Sequence, residues 1–134
     1  MELLYKEITD LILKSFFNVY NTLGFGFLEK VYENAMMIEL QSFNLDCTKQ
    51  KPIEVFYKQK KVGDYFADII VENKVIVELK AVEFLIPEHE AQLINYLKAT
   101  RIEVGLLLNF GKTAQFKRKV FQNELKISAN QFNP

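Results

Sequence analysis

The segment 73–82, NKVIVELKAV, constrains the fold of this chain more than any other stretch. Most of it has the apolar, β-branched composition of a buried strand, yet Glu78 and Lys80 interrupt the run. Because alternate residues of a strand point to the same face of a sheet, Glu78 and Lys80 are expected side by side. Charges in such a place are costly unless they are paired, hydrogen-bonded or bound to a metal. The segment therefore predicts either a structural ion pair or a functional site.

Length and composition favour one compact domain. The chain has 134 residues, of which 49% are hydrophobic, so we expect a single domain over residues 1–134 with its core at about 5–120 and a tail at 121–134. Seventeen basic and seventeen acidic residues cancel, which excludes a strongly basic nucleic-acid binder. Contact with polyanions must then come from a local patch or through bound cations.

Compartment and membrane association are also predicted from composition. Cys47 is the one cysteine, so it forms no internal disulfide, and it fits a reducing, cytoplasmic compartment. The early acidic residues argue against a signal peptide. No apolar run approaches the roughly 20 residues that span a bilayer, so no membrane partner is expected.

The periodicity of apolar residues predicts an α/β fold. Spacings of three and four residues indicate amphipathic helices over residues 3–23 and 28–43, separated by Gly24-Phe25-Gly26. Leu28, Val31, Tyr32, Ala35 and Ile38 are expected to form the apolar stripe of the second helix. Strand-forming residues follow in a three-stranded meander, at 53–57, 62–71 and 73–82, with turns at 58–61 and 72–74.

A helix and a final strand complete the predicted order. Pro87 suits the first turn of a helix that runs to about Thr100. The continuous apolar run 104–110 is typical of a strand in the middle of a sheet, and 116–121 is a candidate edge strand. The polar residues 128–134 are expected to fray. The order is α-α-β-β-β-α-β, with a possible terminal strand.

A second carboxylate comes from the preceding strand. If residues 62–71 and 73–82 pair as a hairpin about 72–74, Asp68 comes near Glu78. Two close carboxylates repel, so one takes up a proton unless a cation lies between them, and hard oxygen ligands suit Mg²⁺ or Mn²⁺. Lys80 could orient or deprotonate a water, or stabilise charge on a phosphate. These residues form a coherent phosphodiester hydrolysis site; the alternative is an ordinary ion pair between Lys80 and an acid.

Two helices carry further candidates. His89, Gln92 and Tyr96 share a helix face that could contact phosphate or a base. The alternatives are an exposed His89 and a core-edge Tyr96. In the earlier helix, Glu29 falls in the first turn and could add a carboxylate near the metal, directly or through water; the alternative is an acid that only complements the helix dipole. Glu33 is expected to be a solvated neighbour.

Four motifs in order resemble a known family. Gly26-x-x-Glu29-x-x-Tyr32, Ala67-Asp68, Glu78-Leu79-Lys80 and Gln92-x-x-x-Tyr96 resemble the GxxExxY proteins of the PD-(D/E)XK nuclease superfamily over roughly residues 5–120. Ala67 stands where the superfamily name has proline, and the carboxylate is kept.

The resemblance implies a restriction-endonuclease-like α-β-β-β-α-β core with an extra N-terminal helix, its mixed sheet flanked by helices. It implies a divalent-metal site in which Asp68 and Glu78 are ligands, the Leu79 carbonyl is a further ligand and Lys80 is the catalytic lysine. Glu29 would be the helix carboxylate of the site. Gln92 and Tyr96 would bind DNA and shape the site.

Three functions are therefore weighed. The first is a Mg²⁺- or Mn²⁺-dependent nuclease that hydrolyses DNA in preference to RNA. The second is a non-catalytic nucleic-acid or protein-binding module that keeps the nuclease fold. The third, compatible with the first, is a homo-oligomer or a subunit of a larger complex. Two basic clusters could contact phosphates or be solvated surface: Lys58, Lys60 and Lys61, and Lys117, Arg118 and Lys119.

Overall fold

A computed structural model of the chain describes residues 3–126. Its elements follow the predicted order and include the terminal strand. They are α1 (Lys6–Leu23), α2 (Glu29–Ser42), β1 (Cys47–Tyr57), β2 (Lys60–Val71), β3 (Val75–Lys80), α3 (Pro87–Lys98), β4 (Val104–Phe110), β5 (Ala114–Val120) and a 3₁₀ turn (Asn123–Leu125). The predicted frayed tail at 128–134 lies outside the described residues. Among the described helices, none is long and apolar enough to cross a bilayer.

The five strands form one mixed sheet in the order β1-β2-β3-β4-β5. β3 and β4 are parallel, which requires the crossover through α3, and the other neighbours are antiparallel. One core cluster lies between the sheet and the helices α1 and α2, and a second lies under α3. All seven residues of β4 are buried, as its continuous apolar run predicts. The predicted α/β fold class is confirmed.

The β2–β3 hairpin opens after a short ladder. β2 and β3 pair only over Ile69–Val71 and Val75–Val77, whereas β2 pairs with β1 along nearly its whole length. The β1–β2 and β2–β3 connections each have two consecutive residues with positive φ, which is the signature of a tight type I′ turn. These residues are Lys58-Gln59 and Glu72-Asn73. The long β1–β2 hairpin therefore extends beyond β3 and leaves a gap between β2 and β3.

The predicted bounds differ most in the first hairpin. β1 begins at Cys47, six residues before the predicted start, because the chain is already paired with β2 on the N-terminal side of Pro52. The connection to β2 is the pair Lys58-Gln59, shorter than the predicted turn at 58–61. Proline and lysine are uncommon in central strands, so the sequence pattern did not predict a strand at these positions. Both are tolerated at a sheet edge, where these residues lie.

The predicted apolar stripe of α2 is wrong at three positions. Leu28, Val31 and Ile38 are 80%, 39% and 69% exposed. The buried residues are instead Tyr32, Glu33, Met36 and Leu40. The Tyr32 ring stacks on Phe110 of β4 with centroids 4.1 Å apart, and this contact fixes which face of α2 turns inward. A polar residue, Glu33, is therefore carried into the interior.

Candidate functional site

The carboxylates of Asp68 and Glu78 meet in the gap where β2 leaves β3. The backbone N–H of Asp68 donates to Glu78 Oε2 at 2.8 Å. The backbone N–H of Leu79 donates to Asp68 Oδ2, also at 2.8 Å. These two bonds replace the strand ladder, which ends at Ile69 and Val77. The hairpin register expected from the sequence is the one observed, and it holds both side chains in one place.

Burial makes both carboxylates hold protons tightly. Glu78 is only 5% exposed, and burial, followed by the charge of Asp68, raises its pKa to about 8. Burial also raises the pKa of Asp68, against the lowering effect of the hydrogen bond from the Leu79 N–H. Such paired shifts indicate carboxylates whose burial and mutual repulsion are not fully offset by nearby positive charge, and they cluster at functional sites.

Lys80 stands beside these carboxylates without closing an ion pair. Its charge lowers the pKa of Glu29, Asp68 and Glu78. Within residues 3–126, however, Lys80 takes part in none of the salt bridges. A structural ion pair was the alternative explanation for this lysine, and the described residues do not contain it. The ammonium group is available to a ligand.

Glu29 brings the N-terminus of α2 to the same cluster. It is the first residue of the helix. Burial raises the pKa of Glu29, Lys80 lowers it, and the charges of Asp68 and Glu33 raise it again. The helix carboxylate is thus within electrostatic reach of the strand residues, although it makes no hydrogen bond with them.

Two residues of this cluster were missed or misjudged from the sequence. Glu33, expected to be solvated, is 5% exposed and accepts hydrogen bonds from Lys30 Nζ at 3.3 Å and Gln50 Nε2 at 2.7 Å. The Gln50 amide also lies 3.4 Å from Asp68 Oδ1, so it bridges a helix carboxylate and a strand carboxylate. Gln50 has a φ of 53°, a strained conformation that is often found at functional sites. The four-residue spacing from Glu29 to Glu33 was the available signal.

Helix α3 packs on the face of the sheet that carries Glu78. Tyr96 is 5% exposed, and burial, with the charges of Glu78 and Asp68 next, raises its pKa to about 12. Its hydroxyl therefore stays neutral and can donate a hydrogen bond. Gln92 lies one turn earlier on the helix, whereas His89 Nδ1 accepts the N–H of Ile86 at 3.2 Å and caps the first turn. The alternative interpretation from the sequence was an exposed His89; the residue is instead half-buried, and its ring caps the helix.

Half of the residues in the two predicted basic clusters make ion pairs or hydrogen bonds within the protein. Lys61 pairs with Asp64 at 2.9 Å and with Glu54 at 3.6 Å. Lys119 pairs with Glu90 at 2.6 Å, and Arg118 donates to the Leu4 carbonyl. These contacts weaken the expectation that either cluster is a dedicated phosphate site.

Comparison with known proteins fixes the family. The sequence model of the PD-(D/E)XK nuclease superfamily matches residues 6–121, which include every residue of the cluster described above. The chain belongs to this superfamily. No curated protein and no solved structure gives a significant match. Membership in the PD-(D/E)XK superfamily implies nucleic-acid binding and, in general, the use of divalent metals.

The donor set fits a divalent ion of the kind that PD-(D/E)XK nucleases use. Among residues 3–126, no three His, Cys, Asp or Glu side chains are arranged to hold a metal by themselves. Mg²⁺ does not require such a cage, since it is commonly bound through one or two carboxylates, with waters and substrate phosphates completing its octahedron. Asp68 and Glu78 are adjacent, and burial disfavours their ionised forms in the absence of a cation, so the pair matches that requirement.

Tyr32, the tyrosine of the G-x-x-E-x-x-Y motif, has a structural role. Its hydroxyl donates to the Gly24 carbonyl at 2.7 Å and accepts the N–H of Phe27 at 3.2 Å. Gly24 and Gly26 have φ values of 68° and 109°, which glycine adopts readily. The tyrosine therefore ties down the turn from which α2, and with it Glu29, begins.

We expect Tyr32→Phe to lower the free energy of unfolding by about 1–2 kcal/mol, because the turn loses a hydrogen-bond donor and acceptor while the ring stack on Phe110 is kept. Urea denaturation of the purified variant measures this. Tyr57→Phe is the matched control, since Tyr57 is 59% exposed and should unfold like the wild type. Equal stability of Tyr32→Phe and wild type would contradict the structural role.

Proposed function

We propose that this protein is a divalent-metal-dependent nuclease that hydrolyses phosphodiester bonds in DNA in preference to RNA. The observation that carries the proposal is the pair of backbone hydrogen bonds that hold the Asp68 and Glu78 carboxylates together in the β2–β3 gap. Membership in the PD-(D/E)XK superfamily supports it. So does Lys80, whose ammonium group is not consumed by a salt bridge among the described residues.

Asp68 and Glu78 would hold Mg²⁺ or Mn²⁺, with the Leu79 carbonyl as a further ligand and Glu29 contributing through water. When bound, the ion polarises the phosphodiester and neutralises charge that develops in the transition state. The protein's part is to hold its ligands rigidly. The N–H groups of Asp68 and Leu79 fix one oxygen of each carboxylate, which limits the reorganisation needed when the remaining oxygens bind the ion.

Lys80 would act on the water or the phosphate. Its side chain lies on the same strand face as Glu78. As an ammonium ion it can orient the attacking water or stabilise the charge on the phosphate, and as a neutral amine it would accept the proton that the water gives up. Tyr96 and Gln92 would bind the substrate strand. The neutral hydroxyl of Tyr96 can donate to a phosphate oxygen because burial keeps its pKa well above physiological pH.

Three finer assignments belong to the same proposal. We place the chain in the GxxExxY group because Gly26, Glu29 and Tyr32 have that spacing. A cytoplasmic location is consistent with the single, unpaired cysteine, Cys47. A homo-oligomer, or a complex with a second subunit, would provide the second active site that cutting both strands of a duplex requires.

The test is a cleavage assay with matched DNA and RNA substrates. We expect wild type to cut DNA with Mg²⁺ or Mn²⁺ and to lose all activity in excess EDTA. Lys80→Met should reduce the rate by about 10²–10⁴-fold, the contribution typical of a positioned acid–base group. Lys14→Met is the matched control, because Lys14 is an exposed lysine on α1 and should cut like wild type.

A clear negative result would favour a different function. If folded wild type cuts neither DNA nor RNA with either metal, and calorimetry detects no divalent ion bound by wild type, the nuclease proposal fails. The chain would then be a binding module that keeps the nuclease fold.

A further inference from the structure

A groove runs along α3 on the side that faces the β1–β2 hairpin. Its volume is about 540 Å³, within the range of about 300–1,000 Å³ that is usual for small-ligand sites. The hairpin wall includes Val55, Phe56 and Tyr65, and the helix wall includes Gln92, Asn95 and Tyr96. The groove therefore shares with the candidate active site the two α3 residues that were assigned to substrate binding.

Local backbone features build the aromatic wall of this groove. The β1–β2 register shifts between Val55 and Phe56, because Val62 of β2 is an extra residue with no partner on β1. This bulge lies in the groove wall, which includes Phe56 and Val62. At Gly63, an added Cβ would lie 3.1 Å from the Tyr65 ring, so the absence of a side chain lets that ring lie close against the hairpin. Tyr65 is 47% exposed.

Tyr65 and Tyr96 link the groove to the carboxylates. Their ring centroids are 5.7 Å apart at an angle of 48°, which joins the two walls. Tyr96 is in turn close enough to Glu78 and Asp68 to interact electrostatically with both carboxylates. A strand whose phosphate lay at the carboxylates would thus have its neighbouring nucleotide beside Tyr65.

The polar groups of the groove suit the edge of a base. The side-chain amides of Gln92 and Asn95 line the groove, and neither makes a hydrogen bond with another residue in the range 3–126. Each amide offers both donors and an acceptor, which is what the edge of a nucleobase requires. A groove that has aromatic rings on its hairpin wall and unbonded side-chain amides on its helix wall therefore matches a nucleobase better than a bare phosphate.

We propose that this groove binds an unpaired nucleotide of the substrate, so that the protein acts on single-stranded nucleic acid. The inference rests on the proposed function and deepens it by naming the substrate class. Stacking on Tyr65 or Phe56 needs an exposed base face, which a single strand offers and a base-paired duplex hides within its own stack.

The experiment measures binding, not cleavage. Fluorescence anisotropy in EDTA compares the full chain on a labelled single-stranded DNA, the single-stranded RNA of the same sequence, and the corresponding DNA duplex. Without a divalent ion no hydrolysis occurs, so the result is independent of whether the protein is an active nuclease. We expect wild type to bind a single strand at least about tenfold tighter than the duplex. The two single-stranded arms identify which sugar is preferred.

Variants then assign the binding to the groove. Tyr65→Ala should weaken single-strand binding by about tenfold, the effect of losing one stacked base, and Tyr65→Phe should bind like wild type because it keeps the ring. Ala91→Leu, on the exposed face of α3, should also weaken binding because it fills the groove without removing an aromatic ring. Tyr57→Ala is the matched control, since Tyr57 is an exposed hairpin tyrosine outside the groove lining and should leave binding unchanged.

Three results would overturn the inference. One is equal affinity for single strand and duplex. The second is unchanged single-strand binding in both Tyr65→Ala and Ala91→Leu, with circular dichroism confirming that the variants fold. The third is that wild type binds no oligonucleotide at all. Cleavage that persists in these variants with unchanged specificity would leave the nuclease proposal standing while this inference fails.

Discussion

Glu78→Gln is expected to abolish divalent-dependent cleavage, by about 10³-fold or more, without loosening the fold. The substitution keeps the shape of the side chain and its acceptor, because the amide oxygen that it introduces can accept the N–H of Asp68 as Glu78 Oε2 does now. It removes the negative charge of the carboxylate and replaces the second oxygen, the proposed metal ligand, with an amide nitrogen. A loss of activity would therefore report the loss of a metal ligand and not the loss of the hairpin contact.

Stability supplies the second half of this prediction. Glu78 is 5% exposed and lies against Asp68, so in metal-free buffer its ionised form is disfavoured by burial and by repulsion. A neutral amide avoids both costs. We expect the free energy of unfolding of Glu78→Gln, measured in EDTA by urea denaturation, to equal or exceed that of wild type. This inverse relation of activity and stability is typical of a site that is kept for function.

Metal should affect the stability of the two proteins differently. Mg²⁺ or Mn²⁺ binds the folded state and should raise the unfolding temperature of wild type, but not that of Glu78→Gln. Glu39→Gln is the matched control: Glu39 lies on α2 and bonds Asn18 on α1, so its replacement should leave cleavage and the metal effect unchanged. A Glu78→Gln protein that cuts DNA at the wild-type rate, or that unfolds more readily in EDTA, would remove the basis for this metal site.

Parts of the site that rest on strand periodicity could be predicted from the sequence. An E-x-K pair in an apolar run fixes two side chains on one face, and a short turn after β2 brings Asp68 opposite Glu78. Both depend on residues that are close in sequence. The central position of β4 was likewise predictable, because a strand that is covered on both faces is apolar at every position and is visible in the sequence as a continuous apolar run.

The parts that were missed depend on distant contacts. Which face of α2 turns inward is decided by the stack of Tyr32 on Phe110, far along the chain, and this contact carries Glu33 into the interior. Gln50 joins the cluster because its backbone leaves the regular strand conformation, with a φ of 53°, opposite Asp68. Neither hydrophobic periodicity nor local propensity reports such a contact, since both are properties of one element at a time.

Asn109→Ala is expected to lower the free energy of unfolding by about 3 kcal/mol, because it leaves two backbone groups without partners. Asn109 is fully buried in β4, where it pairs with Lys80 of β3. Its Oδ1 accepts the N–H of Val82 at 3.0 Å, and its Nδ2 donates to the Val82 carbonyl at 2.9 Å. One side chain thus takes the place of a strand ladder at the point where β3 ends.

The packing around the Asn109–Val82 contact, which acts as a clamp on the end of β3, leaves no room for another side chain to replace the amide. An added Cβ at Gly111 would lie 2.5 Å from the Val82 carbonyl oxygen and 3.0 Å from Asn109 Nδ2, so backbone fills the space beside the amide. With alanine at position 109, no neighbouring side chain can take over both bonds, and the segment after Lys80 is released. We therefore expect cleavage by Asn109→Ala, assayed well below its unfolding temperature, to fall by about tenfold, as for other groups that orient catalytic residues.

The two measurements separate a clamp from a passive core residue. Asn18→Ala is the control, because Asn18 is an exposed asparagine that bonds Glu39 and should change the free energy of unfolding by less than about 0.5 kcal/mol. If Asn109→Ala is destabilised but cuts like wild type, the clamp serves the fold alone and Lys80 is held by its own strand. If it is as stable as wild type, the two Val82 bonds are replaced by water, and the end of β3 is open to solvent. Loss of both stability and activity is the expected result, since Lys80, the proposed catalytic lysine, is only two residues from the clamped Val82.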